Sequence, residues 1–506
     1  MLIVGAGPAG TAAARLLAAW GHDVLVVDRP GSDAGRLAES IPPSAQKVLA
    51  AIGALPAVED AGFIRWRGNT VWWAGEPPRT ETFAPGAAGY QVERGRFDAL
   101  LKGLAAQAGA GVQIGIVREV HVPGLTAAGD THGPAASPVE AVVEADGERT
   151  RVQAAYVVDC SGRTGVLARR GLRIAASDPR TIALAGVWRA PGGWALDDDS
   201  HTLVASYADG WAWSVPAAPG VRHFTVMVDP ARTGLARGAA PREIYLSELD
   251  KVDPFRPFLE RGNLTEGPWG ADASIYQAGR YAGPGWLLAG DAASTIDPLS
   301  SFGVKKALAS GWLAAIAAHT AIARPAMRDE ALAFFDRRER ALYAHARRQA
   351  VLSAAEVAGR TAHPFWTSRA ETAEPSIDSE GPDPVALSAD PDVRAAFEDL
   401  RQRPGIGLRR TATARVSPRA AVRGREIVLE DHLFLPDWPD GVRYLRGVDL
   451  VDLLSLAPSH ADVGNLYRAF SDKHPNVNLP DFLGALSVLI ARWVLVHDDA
   501  EAGFRG

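Results

Sequence analysis

The chain has 506 residues, with 53 Lys and Arg against 59 Asp and Glu and a formal net charge of −6. That length fits two or three domains, the 47% hydrophobic content supplies a large core, and the charge balance lacks the basic excess of a general nucleic-acid binder. A single cysteine, Cys160, excludes a disulfide framework, a cysteine zinc site and an iron–sulfur cluster within this chain.

In chain order, Leu2-Ile3-Val4 reads as a short buried strand. The turn Gly5-Ala6-Gly7-Pro8-Ala9-Gly10 follows, then an Ala/Leu-rich helix from Thr11 to Trp20 and a second apolar strand from Asp23 to Asp28. This β-turn-α-β order opens a doubly wound parallel sheet. A helix is expected over 97–108, strands over 112–122, 139–143 and 151–158, and a loop over 124–138. Between 173 and 281 the pattern changes to antiparallel strands at 181–189, 202–207, 211–215 and 223–228. A helix at 242–261 is disturbed by Pro254 and Pro257. The parallel pattern returns with a strand at 285–289 and an Ala-rich helix at 302–322, followed by a charged helix at 330–357. Residues 371–392 are acidic and read as a linker. Short strands are expected at 426–429, 432–435 and 442–445, helices at 448–456, 461–470 and 479–492, and a closing strand at 493–496. No basic region precedes residues 2–4, and the apolar run 482–496 is broken by Arg492. A cytoplasmic protein without a membrane partner is therefore expected.

The glycine turn carries the first chemistry. In Gly5-x-Gly7-x-x-Gly10 the first glycine makes the turn, the second lets the backbone approach a pyrophosphate, and the third lets helix and strand pack closely. Asp28 ends the next strand, where a carboxylate can accept from a ribose hydroxyl. Two later strand-to-turn segments decide which nucleotide: Tyr156-Val-Val-Asp159-Cys160-Ser161-Gly162, and Trp286-Leu-Leu-Ala-Gly290-Asp291-Ala-Ala with its following helix.

The second of these resembles the second FAD fingerprint of aromatic-hydroxylase-type flavoproteins. Glu93-Arg94-Gly-Arg96-Phe97-Asp98-x-Leu100-Leu101 resembles that family's arginine segment. The resemblance implies FAD held by Gly5, Gly7, Ala9, Gly10, Asp28, Arg29, Arg36, Arg94, Asp159, Gly290, Asp291, Gly303 and Val304. By residue type alone, Trp211 and Trp213 read as an aromatic pair packing within a sheet. In context, Trp211-Ala-Trp213-Ser-Val215-Pro216 resembles the Trp-x-Trp-x-Ile-Pro motif of flavin-dependent halogenases. Asp297-Pro298-Leu-Ser300-Ser301-Phe302-Gly303-Val304 is similar to the flavin-facing loop of a sister group, the flavoprotein maturases of tryptophylquinone enzymes. The likeness spans about residues 1–350.

One residue separates the two groups. In phenol- and pyrrole-type halogenases a lysine precedes a Tyr-Gly-x-Thr-like stretch. The matching segment here, residues 63–73, holds Trp66 flanked by Arg65 and Arg67 and no lysine. Arginine stays protonated and cannot serve as the amine nucleophile. Halogenation is thus disfavoured and oxygen transfer remains. Pro298, Ser300 and Lys305 are the candidate catalytic residues, with Trp66, Asn69, Trp211 and Trp213 as candidate substrate contacts. Lys305 and Lys306 read either as a solvated or sheet-packing first turn or as a source of positive potential at the flavin. Cys160 reads as a small buried residue, and His22, His201 and His223 have no metal-ligand spacing.

The expected fold is α/β. A discontinuous Rossmann-type FAD domain spans 1–172 and 282–330, and an antiparallel substrate domain spans 173–281. A helical extension with an acidic linker covers 331–405. A small winged-helix-like α+β unit spans 406–506; it resembles the peptide-binding modules of enzymes that modify ribosomal peptides. The implied function is an FAD-dependent monooxygenase hydroxylating an aromatic ring. Its partner is a tryptophan-containing peptide or small protein, and NAD(P)H supplies electrons directly or through a flavin reductase. The alternatives are a halogenase with a displaced lysine, a small-molecule indole or phenol hydroxylase, and a flavin-stabilised scaffold that escorts its partner without turnover. The surplus of 14 Trp over 9 Tyr fits a wide aromatic mouth between the Trp211–Trp213 sheet and residues 66–73.

Overall fold

Three apolar residues, Leu2, Ile3 and Val4, occupy the middle of a six-stranded sheet and are essentially buried. The strand Leu2–Val4 runs parallel to Leu25–Asp28 on one side and Val157–Asp159 on the other. Gly111–Ile114 and Trp286–Leu288 extend the parallel set, and Ala282–Gly283 closes one edge antiparallel. The computed structural model describes residues 1–31, 37–123, 125, 138–174, 179–237, 240–371, 384–403 and 405–498. Arg36 and nearly all of the expected loop 124–138 lie outside the described residues, as does much of the acidic stretch after 371.

The chain divides into two units, Met1–Pro375 and Ser376–Gly506. In the first, helices Pro8–Ala19, Arg94–Gln107 and Gly303–Ala323 accompany the parallel sheet. A second sheet has seven strands, in the order 263–272, 182–189, 221–228, 210–218, 202–207, 68–72 and 79–82. Its pairings are antiparallel except that Gly68–Trp72 runs parallel to Thr202–Tyr207. The sheet expected at 173–281 therefore also recruits strands from before residue 100. Phe224, Val226 and Val228 point from one face of strand Val221–Val228 into a cluster with Trp188, Trp194, Tyr245 and Phe255. The expected helix 242–261 is two helices, Pro241–Asp250 and Arg256–Leu259, separated at the first of its prolines.

In the second unit, Arg415–Arg423, Glu426–Leu435 and Trp438–Val442 form a three-stranded antiparallel sheet. The expected pair of strands at 426–429 and 432–435 is one strand. Glu430 and Asp431 suggested a break, but they pair with Arg419 and Pro418 in an unbroken ladder. Helices Leu450–Leu456, Val463–Lys473 and Leu479–Ala491 follow, and Leu495–His497 pairs with Leu408–Arg410. Helix Pro391–Gln402 also belongs here: its Val393 and Leu400 share a core with Leu486 and Leu489. Asp449, Asp452 and His474 bring their ligand atoms within 4.8 Å of one another. Asp449 already caps its helix and accepts from Arg443 at 2.8 and 2.9 Å, and His474 Nε2 lies 2.8 Å from Asp452, so capping and ion pairing account for the group.

His223, on strand Val221–Val228 of the seven-stranded sheet, supplies a test of the burial there. It is 8% exposed, its ring meets Trp269 edge-on, and burial holds its imidazole down to about 4. The unfolded chain then binds a proton below the ordinary histidine value of about 6.5 that the folded chain refuses, so stability is lost as pH falls from about 6.5 towards 4. Urea unfolding is expected to show a loss on the order of 3 kcal/mol across that window. His223→Phe is expected to flatten this part of the profile.

Candidate active site

The site begins with an extreme approach of backbone to backbone. A Cβ on Gly10 would fall 1.9 Å from the Gly5 carbonyl oxygen, and Gly5 itself has φ +98° with Cys160 O at its back. Gly7 differs: a Cβ there would meet no protein atom within 4 Å. Its glycine keeps space open on the outer side of the turn. The helix Pro8–Ala19 has no side-chain cap at this end, and neither does Gly303–Ala323 at its own N-terminus. Two uncapped first turns with positive partial charge are what a pyrophosphate and an electron-rich ring edge require. Asp28 Oδ1 accepts from Ala6 N–H at 3.1 Å, and its Oδ2 pairs with Lys102 at 2.6 Å.

The second motif docks on the first. Gly290 has φ +61°, and a Cβ there would sit 2.8 Å from the Ala9 Cβ. A Cβ on Gly311 would meet the Ala9 carbonyl oxygen at 2.1 Å. Ala9 is therefore the spacer between the two turns and is 5% exposed. Lys306 is buried beneath them, and its ammonium donates to the carbonyls of Gly290 (2.7 Å) and Ser294. Burial lowers its proton affinity, while Asp291 and the buried Glu339 act to raise it. Lys306 is thus a structural clamp. The Asp291 side chain has no hydrogen-bond partner among the described residues, and its backbone oxygen accepts from Tyr276 OH.

The geometry gives several of the expected site residues partners within the chain. Asp159 has no exposed surface; it accepts from Ser161 N (3.0 Å), Ser161 Oγ (2.5 Å) and Leu167 N (2.7 Å), so its carboxylate holds the following turn. Arg94 bonds Glu39 at 2.6 Å and Asp98 at 2.9 and 3.1 Å; burial opposes its charge, and these two carboxylates more than restore it. Arg29 is exposed, with Nη1 3.5 Å from Thr164 Oγ1. Ser300 donates to Asp297 O at 3.0 Å and accepts from Phe302 N at 3.3 Å, and Pro298 begins the same short turn. These contacts shape the loop. Lys305 lies with Nζ 4.8 Å from the Phe302 ring centre; burial, then the charge of Lys47, lowers its affinity for a proton.

The aromatic mouth expected between the Trp211–Trp213 sheet and residues 66–73 is closed. Trp66 is 3% exposed, donates to Gly68 O at 2.7 Å and packs edge-on against Phe83. Asn69 sits within the sheet, between Thr202 and Glu81. Trp211 and Trp213 stack at 4.9 Å, and Trp73 and Trp211 join Phe365 and Trp366 in one buried cluster.

The cavity lies elsewhere. Trp211, Thr181 and Ile275 form one wall, and Asp297 and Leu299 of the loop form another. Arg347, Val351 and Ala354 of helix Arg328–Ala358, with Phe365, Trp366 and Arg369, close it. Trp366 Nε1 donates to Tyr207 O at 2.8 Å, and Arg369 donates to Thr181 Oγ1 at 2.7 Å while lying 3.8 Å from the Phe365 ring centre. Sequence reading missed this helical wall. Arg347, Val351 and Ala354 recur at the spacing of one helix face, the signal that was available.

An open glycine cradle, a free acidic side chain after Gly290 and two uncapped helix starts define a flavin-nucleotide protein whose cavity adjoins the second flavin loop. Residues 1–309 match the FAD binding domain family, and the chain belongs to it; within it the chain is a member of the flavin-dependent halogenase and monooxygenase superfamily. It is 29% identical over 385 residues to a tryptophan 2-halogenase of Chondromyces crocatus, covering 73% of this chain and 70% of that one. It is 27% identical to a flavin-dependent halogenase of Armillaria mellea, covering 66% and 70%. Among solved structures it is similar to the flavin-dependent halogenase CmlS, with TM-score 0.76, 20% identity and coverage of 99% and 96%. It is also similar to the peptidyl tryptophan dihydroxylase QhpG, with TM-score 0.64, 24% identity and coverage of 94% and 96%. Among the described residues, no helix is long and apolar enough to cross a membrane.

The cradle yields a prediction. Gly7→Ala meets no protein atom, so the cofactor-free chain is expected to keep its melting temperature while FAD affinity falls by about tenfold or more. Gly10→Val is expected to leave the purified protein colourless. Flavin absorbance and fluorescence titration read both.

Proposed function

We propose that the protein is an FAD-dependent monooxygenase that hydroxylates an aromatic ring, namely a peptidyl tryptophan during biogenesis of a tryptophylquinone cofactor. The observation that carries this is Trp66. By the motif resemblance it falls near the place where phenol- and pyrrole-type halogenases have their lysine, and its indole is buried with its N–H held by Gly68. That position offers no amine to carry a halogen equivalent. The fold likeness to the peptidyl tryptophan dihydroxylase, along nearly the full length of both chains, supports the same reading.

FAD, once bound and reduced by NAD(P)H directly or through a reductase, supplies the activation of dioxygen. The chain's own tasks are binding, orientation and exclusion of water. Gly5 to Gly10 and the helix they open would take the pyrophosphate, Asp28 and Asp291 the hydroxyl groups, and the start of helix Gly303–Ala323 the electron-rich edge of the ring system. Trp211, Phe365 and Trp366 give the cavity flat apolar walls that suit an indole. Taken by itself, the second unit has a sheet whose outer strands are Arg415–Arg423 and Trp438–Val442, the kind of edge a peptide joins by strand addition.

A halogenase reading is favoured by the named relatives and by Lys305, whose lowered proton affinity leaves more of the neutral amine. One experiment separates the two. Enzyme, reduced flavin, oxygen and a tryptophan peptide are incubated with and without bromide, and the product is weighed by mass spectrometry. Addition of oxygen, unchanged by bromide, is expected. A bromide-dependent mass gain abolished by Lys305→Ala would make the halogenase reading the correct one.

A further inference from the structure

The cavity's side chains are unequal in what they can offer a ring. Arg347 and Arg369 only donate hydrogen bonds, and the Thr181 hydroxyl already accepts from Arg369 at 2.7 Å. Asp297 is the one carboxylate among the lining residues. Its Oδ1 accepts from Leu299 N–H at 2.9 Å, which fixes the side chain. Among the described residues Oδ2 has no hydrogen-bond partner. Indole has a single polar atom, and that atom is a donor.

We propose that Asp297 accepts the hydrogen bond of the ring N–H of an indole in this cavity and takes its proton as the ring is attacked. The inference rests on the indole reading given above. The electrophilic oxygen derives from dioxygen and reduced FAD. As a ring carbon forms the new C–O bond, the O–O bond breaks with its electron pair left on the other oxygen, which is released as water; the nitrogen lone pair feeds the ring, the N–H bond breaks with its electrons left on nitrogen, and the proton passes to the carboxylate. Aromaticity returns when the proton on the attacked carbon leaves to water and the Asp297 proton returns to nitrogen. The substrate loses one proton in all, and the carboxylate ends as it began. Burial, opposed by the Leu299 N–H and the charge of Arg369, leaves the carboxyl more basic than an ordinary aspartate, which suits a proton acceptor.

Binding tests this without turnover. Oxidised holoenzyme, with no reductant, is titrated with indole and with 1-methylindole by calorimetry. Indole is expected to bind about 10- to 100-fold more tightly, the effect of one charge-assisted hydrogen bond. Asp297→Ala is expected to erase the difference. Asp297→Asn keeps an acceptor for Leu299 N–H, so it is expected to retain FAD and melting temperature while turnover of a tryptophan peptide falls by about 100-fold. Equal affinity for the two ligands in the unaltered enzyme, no saturable binding of either, or unchanged turnover in Asp297→Asn would overturn the assignment. The underlying reading fails separately, when tryptophan peptides give no oxygenated product.

Discussion

Everything in the first unit is arranged around a contact that permits no side chain. The Gly10 Cα faces the Gly5 carbonyl so closely that a methyl group would overlap it, and Gly311 faces Ala9 in the same way. These two absences bring helix Pro8–Ala19 against the strand before it and against helix Gly303–Ala323. Gly290 then fits over Ala9, and Lys306 ties the Gly290 and Ser294 carbonyls together from below. The two halves of the nucleotide site lie some 280 residues apart in sequence, yet their spacing is set by three glycines and an alanine.

The cavity follows from this frame. The loop carrying Asp297 and Leu299 links the Gly290 turn to helix Gly303–Ala323, so the clamp that fixes the cofactor site also fixes one cavity wall. The opposite wall comes from the seven-stranded sheet, and helix Arg328–Ala358 closes the space. The tryptophans divide the labour: Trp66 and Trp73 fill the core, whereas Trp211 and Trp366 turn apolar faces to the cavity.

The parts legible in the sequence were those whose cause is local. The Gly5–Gly10 turn, the flanking strands and the Ala-rich helix after Gly290 each declare themselves within about twenty residues. Asp159 misled because an acid ending a strand before a small-residue turn looks the same as Asp28. What distinguishes them is the Leu167 amide eight residues later, which turns one inward. Trp66 looked like a contact surface because Phe83, its packing partner, lies some seventeen residues on, just past the strand Arg79–Thr82. The role of helix Arg328–Ala358 depends on which face docks on the loop and sheet; the spacing of Arg347, Val351 and Ala354 marks one face, but the charged composition of the helix hides it.

The parallel pairing of Gly68–Trp72 with Thr202–Tyr207, and of Leu2–Val4 with Val157–Asp159, has a consequence for how the chain is made. Strands early in the chain wait for partners that leave the ribosome more than 130 residues later, and non-local pairing of this kind is slow to form. The Gly290 turn and its helix arrive later still. During synthesis the first glycine turn therefore emerges without the half of its nucleotide site that Gly290 provides, and a nascent chain shorter than about 320 residues exposes sheet edges that the finished protein covers. FAD can act as a folding ligand only at the end of that wait, when both turns exist and the last parallel strand has been laid down.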